Sequence, residues 1–179
     1  MRRLLMFVIA VAAWAQPPGL GDLDAFITAA MKDWTMPGAA VAVVQDGKVI
    51  HSKGYGYRDI QKKLPVTPET LFAVGSITKS FTVLTLGMLV DEGKLDWDKP
   101  VRDYLPGFKL YDPVVTERLT PRDMVTHRSG LPRHDMVWYN STFTRKEMVE
   151  RLRYLEPSKD LRTTYQYNNL MFMTAGYLA

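Results

Sequence analysis

Residues 71–81 read LFAVGSITKSF, and this segment carries the first sign of a reaction. An apolar run meets Gly75, after which Ser76 opens a helical pattern that places Lys79 three residues on. Positions i and i+3 share one face of a helix, so the Ser76 hydroxyl and the Lys79 amine are predicted to meet. A lysine in a dry, cationic pocket has a lowered pKa and can take the proton of a serine, which is otherwise a weak nucleophile. The backbone N–H groups of a helix N-terminus suit a developing oxyanion.

By itself this Ser-x-x-Lys pattern also fits a serine N-cap followed by a solvated lysine. Its position favours the catalytic interpretation, because the pair joins an apolar run to a helix that reads as buried. That helix continues through Phe81 and Leu84 and ends before Gly93, a suitable residue for the C′ position. Small residues at Thr85 and Gly87 predict a central, tightly packed helix.

A second candidate lies near the end of the chain, where Tyr167 and Asn169 form a Tyr-x-Asn pattern. A phenol beside a lysine cation has a lowered pKa and can shuttle a proton. The amide of Asn169 offers a donor and an acceptor for a substrate amide. Aromatic packing with a turn asparagine is the alternative interpretation of these residues.

The remaining patterns predict an α+β fold with an antiparallel sheet and a helical lobe. A helical rhythm runs from Leu23 to Trp34, and residues 39–45 and 49–52 form two β-type runs around Asp46-Gly47, a strong hairpin signal. Residues 62–70 read as a polar loop, and residues 95–157 are helical or irregular. Capping signatures begin at Thr120, in a helix closed by Gly130, and at Thr144.

The first fifteen residues are predicted to be an export signal, with Arg2 and Arg3 ahead of an apolar stretch and a small-x-small cleavage site at residues 13–15. The apolar stretch is shorter than the ~20 residues of a membrane span. A periplasmic or secreted protein without a stable span is therefore expected, and a retained, uncleaved anchor is the alternative. Residues 16–179 then form the folded part.

Composition narrows the possible partners. The chain has no cysteine, which excludes disulfides and thiolate chemistry. Its three histidines (His51, His127 and His134) lack metal-ligand spacing, so no metal or other cofactor is predicted. The formal net charge of +4 includes the two signal arginines, and the nearly balanced remainder gives no support for nucleic-acid binding.

Taken together, the motifs resemble the serine β-lactamase and penicillin-binding protein superfamily, most closely its class C β-lactamase branch with related esterases and D-alanyl-D-alanine peptidases. The likeness covers nearly all of the chain after the signal. The separation of Ser76 and Tyr167 along the sequence is also similar to that in the class C branch. The segments that carry it are residues 54–57 (GYGY), 70–79 (TLFAVGSITK), 126–132 (THRSGLP) and 167–169 (YNN).

The resemblance implies a role for each site residue. Ser76 would be the acylated nucleophile, and its backbone N–H would form half of the oxyanion hole. Lys79 would help to take the serine proton, Tyr167 would act as general base and then acid, and Asn169 would hold the substrate amide. Residues 126–132 are interpreted as structural, with His127 a buried, hydrogen-bonded residue rather than a base. The implied partner is a small-molecule or cell-wall peptide substrate.

One family feature is missing from the sequence, namely a third motif (Lys-Thr-Gly or His-x-Gly) on a C-terminal strand. Residues 170–179 read as a helix without a clear stop, and a two-strand hairpin makes a poor sheet alone. The chain is therefore expected to be the N-terminal part of a longer β-lactamase/transpeptidase-like domain, with little activity by itself. β-Lactamase, esterase and D-alanyl peptidase activities stay open, as does a non-catalytic domain that binds cell-wall ligands.

Overall fold

A computed structural model describes residues 20–179, so the predicted signal at residues 1–15 lies outside the described part of the chain. The chain divides into two compact units, the first ending at Ala73 and the second spanning Val74–Ala179. No helix within residues 20–179 combines the length and the apolarity that crossing a membrane requires.

The first unit places one helix beside a three-stranded antiparallel sheet. Its sheet order is β1-β2-β3. The elements are α1 (Leu23–Asp33), β1 (Gly38–Gln45), β2 (Lys48–Asp59) and β3 (Leu64–Pro65). Together with the helical second unit, this confirms the predicted α+β class with an antiparallel sheet.

The hairpin between β1 and β2 turns at Asp46-Gly47, as predicted. Both residues have positive φ, 49° and 73° respectively, and the flanking Gln45 and Lys48 are paired. Two successive positive φ values match the type I′ turn, whose twist fits antiparallel strands. The dipeptide therefore sets the register of the hairpin.

Strand β3 corrects the expectation that residues 62–70 are only a loop. The chain folds back onto β2 here, and the buried Val66 donates its N–H to the carbonyl of Gly56 at 3.0 Å. A Cβ on Gly54 would collide with the backbone of Val66, so this approach depends on glycine. The sequence pattern did not indicate that this segment would pair with β2.

A charged network connects α1 to β2. The carboxylate of Asp24 accepts hydrogen bonds from the Tyr55 hydroxyl at 2.5 Å and from Lys53 Nζ at 2.6 Å. Burial, together with this bond to Asp24, raises the pKa of Tyr55 to about 12. Tyr55 therefore remains a hydrogen-bond donor across the physiological pH range.

The second unit is helical, in agreement with the prediction for residues 95–157. Its core includes Leu86, Leu119, Met124, Leu152 and Leu170, all fully buried. The helices are α2 (Thr78–Asp91), α3 (Pro113–Arg118), α4 (Pro121–Val125), α5 (Asp135–Trp138), α6 (Arg145–Arg151) and α7 (Asn169–Leu178), with single 3-10 turns at Gly75–Ile77, Val101–Asp103 and Leu152–Tyr154.

Helix α2 ends as predicted but is packed on one face only. Gly93, at φ 68°, donates its N–H to the Val90 carbonyl, and the following N–H reaches the Leu89 carbonyl, which together form a Schellman motif. Leu86 is fully buried. The opposite face carries an exposed apolar stripe, so the expected tight packing of this helix does not extend to that face within residues 20–179. The stripe consists of Ile77, Phe81, Leu84 and Met88.

Both predicted capping boxes are present. Thr120 and Asp123 exchange side-chain and backbone bonds at the start of α4, as Thr144 and Glu147 do at the start of α6. Helix α4 ends at Val125, however, so Gly130 does not close it. Gly130 lies in the following loop, where its carbonyl accepts the N–H groups of residues 158 and 159.

Candidate active site

The Ser76 hydroxyl and the Lys79 ammonium meet as their spacing predicts. Nζ of Lys79 lies 3.1 Å from Oγ of Ser76. Ser76 belongs to the 3-10 turn Gly75–Ile77 rather than to the α-helix, which begins at Thr78. Lys79 still lies three residues, about one helical turn, after Ser76, so the two side chains stay on one face despite this difference.

The segment before α7 brings the second pair of predicted residues to the first. The Tyr167 hydroxyl lies 2.5 Å from Ser76 Oγ, and Asn169 Oδ1 accepts a hydrogen bond from Lys79 Nζ at 2.7 Å. All four predicted site residues therefore form one hydrogen-bonded cluster in the second unit. Their roles in a reaction stay predictions.

Asn168, which the sequence reasoning passed over, holds this cluster in place. Its side chain is completely buried, and its Oδ1 accepts the N–H of Met171, which caps α7. Its Nδ2 donates to the carbonyls of Leu131 at 3.1 Å and Pro132 at 2.7 Å. An asparagine directly before a helix is a recognisable N-cap, which is the signal that could have identified it.

His127 is buried behind Tyr167, in agreement with its interpretation as a structural residue. Its Nδ1 accepts the backbone N–H of Asn168 at 3.0 Å. Its ring lies 4.6 Å from the ring of Tyr167 and 4.9 Å from that of Phe172, centroid to centroid. A nitrogen that accepts a hydrogen bond carries no proton, so the neutral imidazole is protonated at Nε2.

His127 should therefore stay neutral at pH values where an ordinary histidine is charged. Burial, and then the nearby charge of Lys79, lower the pKa of this imidazole. Between the folded pKa and the unfolded value of about 6.5, only the unfolded chain binds the proton, so His127 makes stability fall as the pH drops below about 6.5. Long-range ¹H–¹⁵N correlation spectra should show the Nε2-protonated form of the neutral ring and a titration midpoint below about 6.5. A midpoint at or above that value would contradict the assignment.

Two cations flank the ring of Tyr167. Nζ of Lys79 lies 4.7 Å from the ring centroid and Cζ of Arg133 lies 5.2 Å from it. The ammonium of Lys79, then the hydrogen bond with Ser76, lower the pKa of the Tyr167 hydroxyl. The position of Arg133 was not predicted, because nothing in the residues around it signals a contact with Tyr167.

Asp135 holds Arg133 in this position. Its carboxylate accepts from Arg133 Nε at 2.7 Å and from the indole N–H of Trp138 at 3.0 Å. The bonds from Arg133 and Trp138 lower the pKa of Asp135. The cluster thus places a serine hydroxyl and a phenol of lowered pKa beside fixed positive charge, an arrangement that acyl transfer can use.

No group of three or more acidic, histidine or cysteine side chains within residues 20–179 is arranged to hold a metal ion. The cluster itself offers the hydroxyl groups of Ser76 and Tyr167, the ammonium of Lys79 and the amide of Asn169.

Comparison with protein families places this cluster in a known context. The family model described as Beta-lactamase matches residues 23–179. The unguisins hydrolase ungD' of Aspergillus campestris is 39% identical over 166 residues, a match that covers 88% of this chain and 31% of the fungal protein. Protein flp of Staphylococcus aureus is 34% identical over 111 residues, which cover 62% of this chain and 22% of that protein.

Solved structures show the same fold. The octameric penicillin-binding protein homologue from Pyrococcus abyssi superposes with a TM-score of 0.75 at 32% identity, over 89% of this chain and 38% of that one. The D-amino acid amidase from Ochrobactrum anthropi SV3 superposes with a TM-score of 0.70 at 28% identity, over 88% of this chain and 45% of that one. The chain spans less than half the length of each of these relatives.

Proposed function

The chain belongs to the Beta-lactamase family, and from this premise we propose that the full-length protein is a serine hydrolase that works through an acyl-enzyme on ester, β-lactam or D-alanyl peptide substrates. The relatives named above include a hydrolase and an amidase, which supports hydrolysis in general. The observation that carries the proposal is the position of Ser76 Oγ, 2.5 Å from the Tyr167 hydroxyl and 3.1 Å from Lys79 Nζ.

In the proposed acylation step, Ser76 Oγ attacks the carbonyl carbon of the substrate and its proton passes to the ionised oxygen of Tyr167. Tyr167 is the better-placed acceptor, because it is nearer to Ser76 Oγ than Lys79 is. Lys79 donates hydrogen bonds to Ser76 and Asn169, and its positive charge stabilises the phenolate. Tyr167 then returns the proton to the leaving group as the bond from the carbonyl carbon to that group breaks.

Deacylation reverses these roles with water as the nucleophile. Tyr167 takes a proton from the water, whose oxygen bonds to the acyl carbon, and the proton returns to Ser76 Oγ as the acyl–serine bond breaks. The rate of this step separates a β-lactamase or esterase from a peptidase that β-lactams inhibit. In keeping with the signal pattern at residues 1–15, we propose that the reaction takes place in the periplasm or outside the cell.

Covalent labelling of the full-length protein tests the proposal. A fluorophosphonate or a β-lactam should add one adduct mass, and peptide mapping should place it on Ser76. Ser76→Ala should remove the label entirely. Ser80→Ala is the matched control, because Ser80 lies one turn further along α2 and bonds only to the Ile77 carbonyl. This variant should label like the wild type.

A protein that binds substrate-like ligands without forming an adduct would instead be the non-catalytic cell-wall binder. In that case saturable, reversible binding would be measured and no label would appear on Ser76. An adduct on a residue other than Ser76 would also overturn the proposed mechanism.

A further inference from the structure

The loop before α5 brings a second cation, Arg133, to the ring of Tyr167. Cζ of Arg133 lies 5.2 Å from the centroid of that ring. At this distance a guanidinium and an aromatic ring attract each other. The mechanism proposed above gives roles to Ser76, Lys79 and Asn169 as well as to Tyr167, but it assigns none to this guanidinium.

Two hydrogen bonds clamp this loop to the segment that carries Tyr167. Asn168, the residue directly after Tyr167, is completely buried, and its Nδ2 donates to the carbonyls of Leu131 and Pro132. Pro132 directly precedes Arg133 in the chain. The backbone positions from which the phenol and the guanidinium extend are therefore linked through one buried amide.

Asp135 holds the guanidinium itself. Its carboxylate accepts hydrogen bonds from Arg133 Nε at 2.7 Å and from the indole N–H of Trp138 at 3.0 Å. His134, between the two paired residues, lies in the left-handed region at φ 47° and ψ 41°. Residues other than glycine rarely adopt this conformation, and such local strain is concentrated at functional sites. Arg133 is thus held in place even though 59% of its side chain is exposed.

The charges beside the Tyr167 ring are mainly positive. Lys79 and Arg133 are cations, and His127 packs against the ring in its neutral form. The carboxylate of Asp135 is negative, but it is paired with Arg133. The ammonium of Lys79 lowers the pKa of the Tyr167 hydroxyl most, and the charge of Arg133 adds a smaller lowering.

We propose that Arg133 is a positioning residue that acts through Tyr167: its guanidinium, held by Asp135, stabilises the phenolate that takes the proton of Ser76. The inference rests on the proposed function, since it concerns the base of that reaction. It requires no contact between Arg133 and the substrate. Because the guanidinium is largely exposed, solvent screens its charge, and the effect should be moderate.

The pH profile of the full-length protein tests this role. On the rising limb of kcat/KM for an activated ester, Arg133→Gln should lower the value about 3- to 10-fold, because the limb moves up by about 0.5–1 pH unit. Above the limb the variant and the wild type should agree within about twofold, since Tyr167 is then ionised in both. Arg133→Lys keeps the charge and should recover part of the loss. A loss of the same size at every pH would show a merely structural role and would overturn the proposal.

Tyrosine labelled with ¹³C at Cζ gives a readout that does not depend on turnover. The Tyr167 resonance, identified by its loss in Tyr167→Phe, should titrate about 0.5–1 pH unit higher in Arg133→Gln than in the wild type. Arg118→Gln removes the same charge from an exposed arginine of α3 and should leave this midpoint unchanged. Added salt should narrow the difference between Arg133→Gln and the wild type. An unchanged Tyr167 midpoint in Arg133→Gln would refute the proposal.

This inference and the proposed function can fail separately. If the full-length protein hydrolyses the ester through Ser76 but Arg133→Gln moves neither the limb nor the Tyr167 midpoint, the role of Arg133 is refuted and the hydrolase stands. If Ser76 is never labelled and no ester is cleaved, both proposals fall together.

Discussion

Tyr167→Phe should lower kcat of the full-length protein by about 10²–10⁴-fold with little change in KM, the range that general acid–base catalysis supplies. The substitution removes only the hydroxyl that lies 2.5 Å from Ser76 Oγ. The ring that packs against His127 is kept, so the fold should be unaffected. Steady-state hydrolysis of an activated ester measures the effect.

Tyr165→Phe is the matched control for this experiment. Tyr165 also lies against His127, with ring centroids 5.3 Å apart, but its side chain is largely exposed and away from Ser76. Removing the Tyr165 hydroxyl should leave kcat within about twofold of the wild-type value, because exposed substitutions away from key groups usually have small effects. Equal kcat values in the two variants would show that the Tyr167 hydroxyl has no specific role in the reaction.

The pH profile gives a second check on Tyr167. The charged groups beside its ring are Lys79 and Arg133, and His127 packs there in its neutral form. Because Lys79 and the hydrogen bond with Ser76 lower its pKa, kcat/KM should rise with pH along a limb below the ordinary tyrosine value of about 10. That limb should vanish in Tyr167→Phe.

Asp123→Ala should destabilise the second unit by about 3–5 kcal/mol, the cost of breaking a buried, hydrogen-bonded charge network. The Asp123 side chain is completely buried. It accepts hydrogen bonds from Arg128 at 2.7 Å, from Arg162 at 2.9 and 3.0 Å, and from the backbone and hydroxyl of Thr120 in the capping box. Urea unfolding of the full-length protein measures the loss.

Asp98→Ala provides the comparison for this prediction. Asp98 also pairs with an arginine, Arg122, at 2.7 Å, but both side chains are exposed. Solvent screens such a pair, so the loss of stability should be much smaller than for Asp123. If the two variants unfolded at the same urea concentration, the buried network would contribute nothing.

Acid should weaken the same network. Burial opposes ionisation of Asp123, but the bonds from Arg162 and Thr120 more than offset it, so the pKa of this carboxyl lies below its usual value. The stability that it contributes is complete above the unfolded pKa of about 3.9 and is lost as the pH falls through the lower folded pKa. Asp123→Ala should lack this part of the acid transition.

Short-range features of the fold could be predicted because their causes lie within a few residues. Asp46-Gly47 alone adopts the two positive φ values that join β1 to β2. Thr120 and Thr144 find their capping partners three residues on. In each case the turn or cap is made by residues within a few positions of one another, so the local pattern is sufficient to predict it.

Longer-range features were predicted less well. The short strand β3 was missed because its two residues pair with a segment of β2 that no local pattern indicates. The exposed face of α2 reads as core in the sequence, because apolar side chains at helical spacing look the same whether or not something covers them. Asn168 was overlooked in favour of its neighbours, although its buried side chain anchors the loop at residues 131–132.

The sequence by itself determined the spacing of Ser76 and Lys79 on one face, the family likeness and the local turns and caps, because each depends on residues close along the chain. Only the tertiary structure decided that the Tyr167 hydroxyl lies beside Ser76 and that Arg133 lies over the Tyr167 ring. These positions follow from how α2, α4, α6 and α7 pack around a shared core, and such packing is a property of the whole unit that no short pattern encodes.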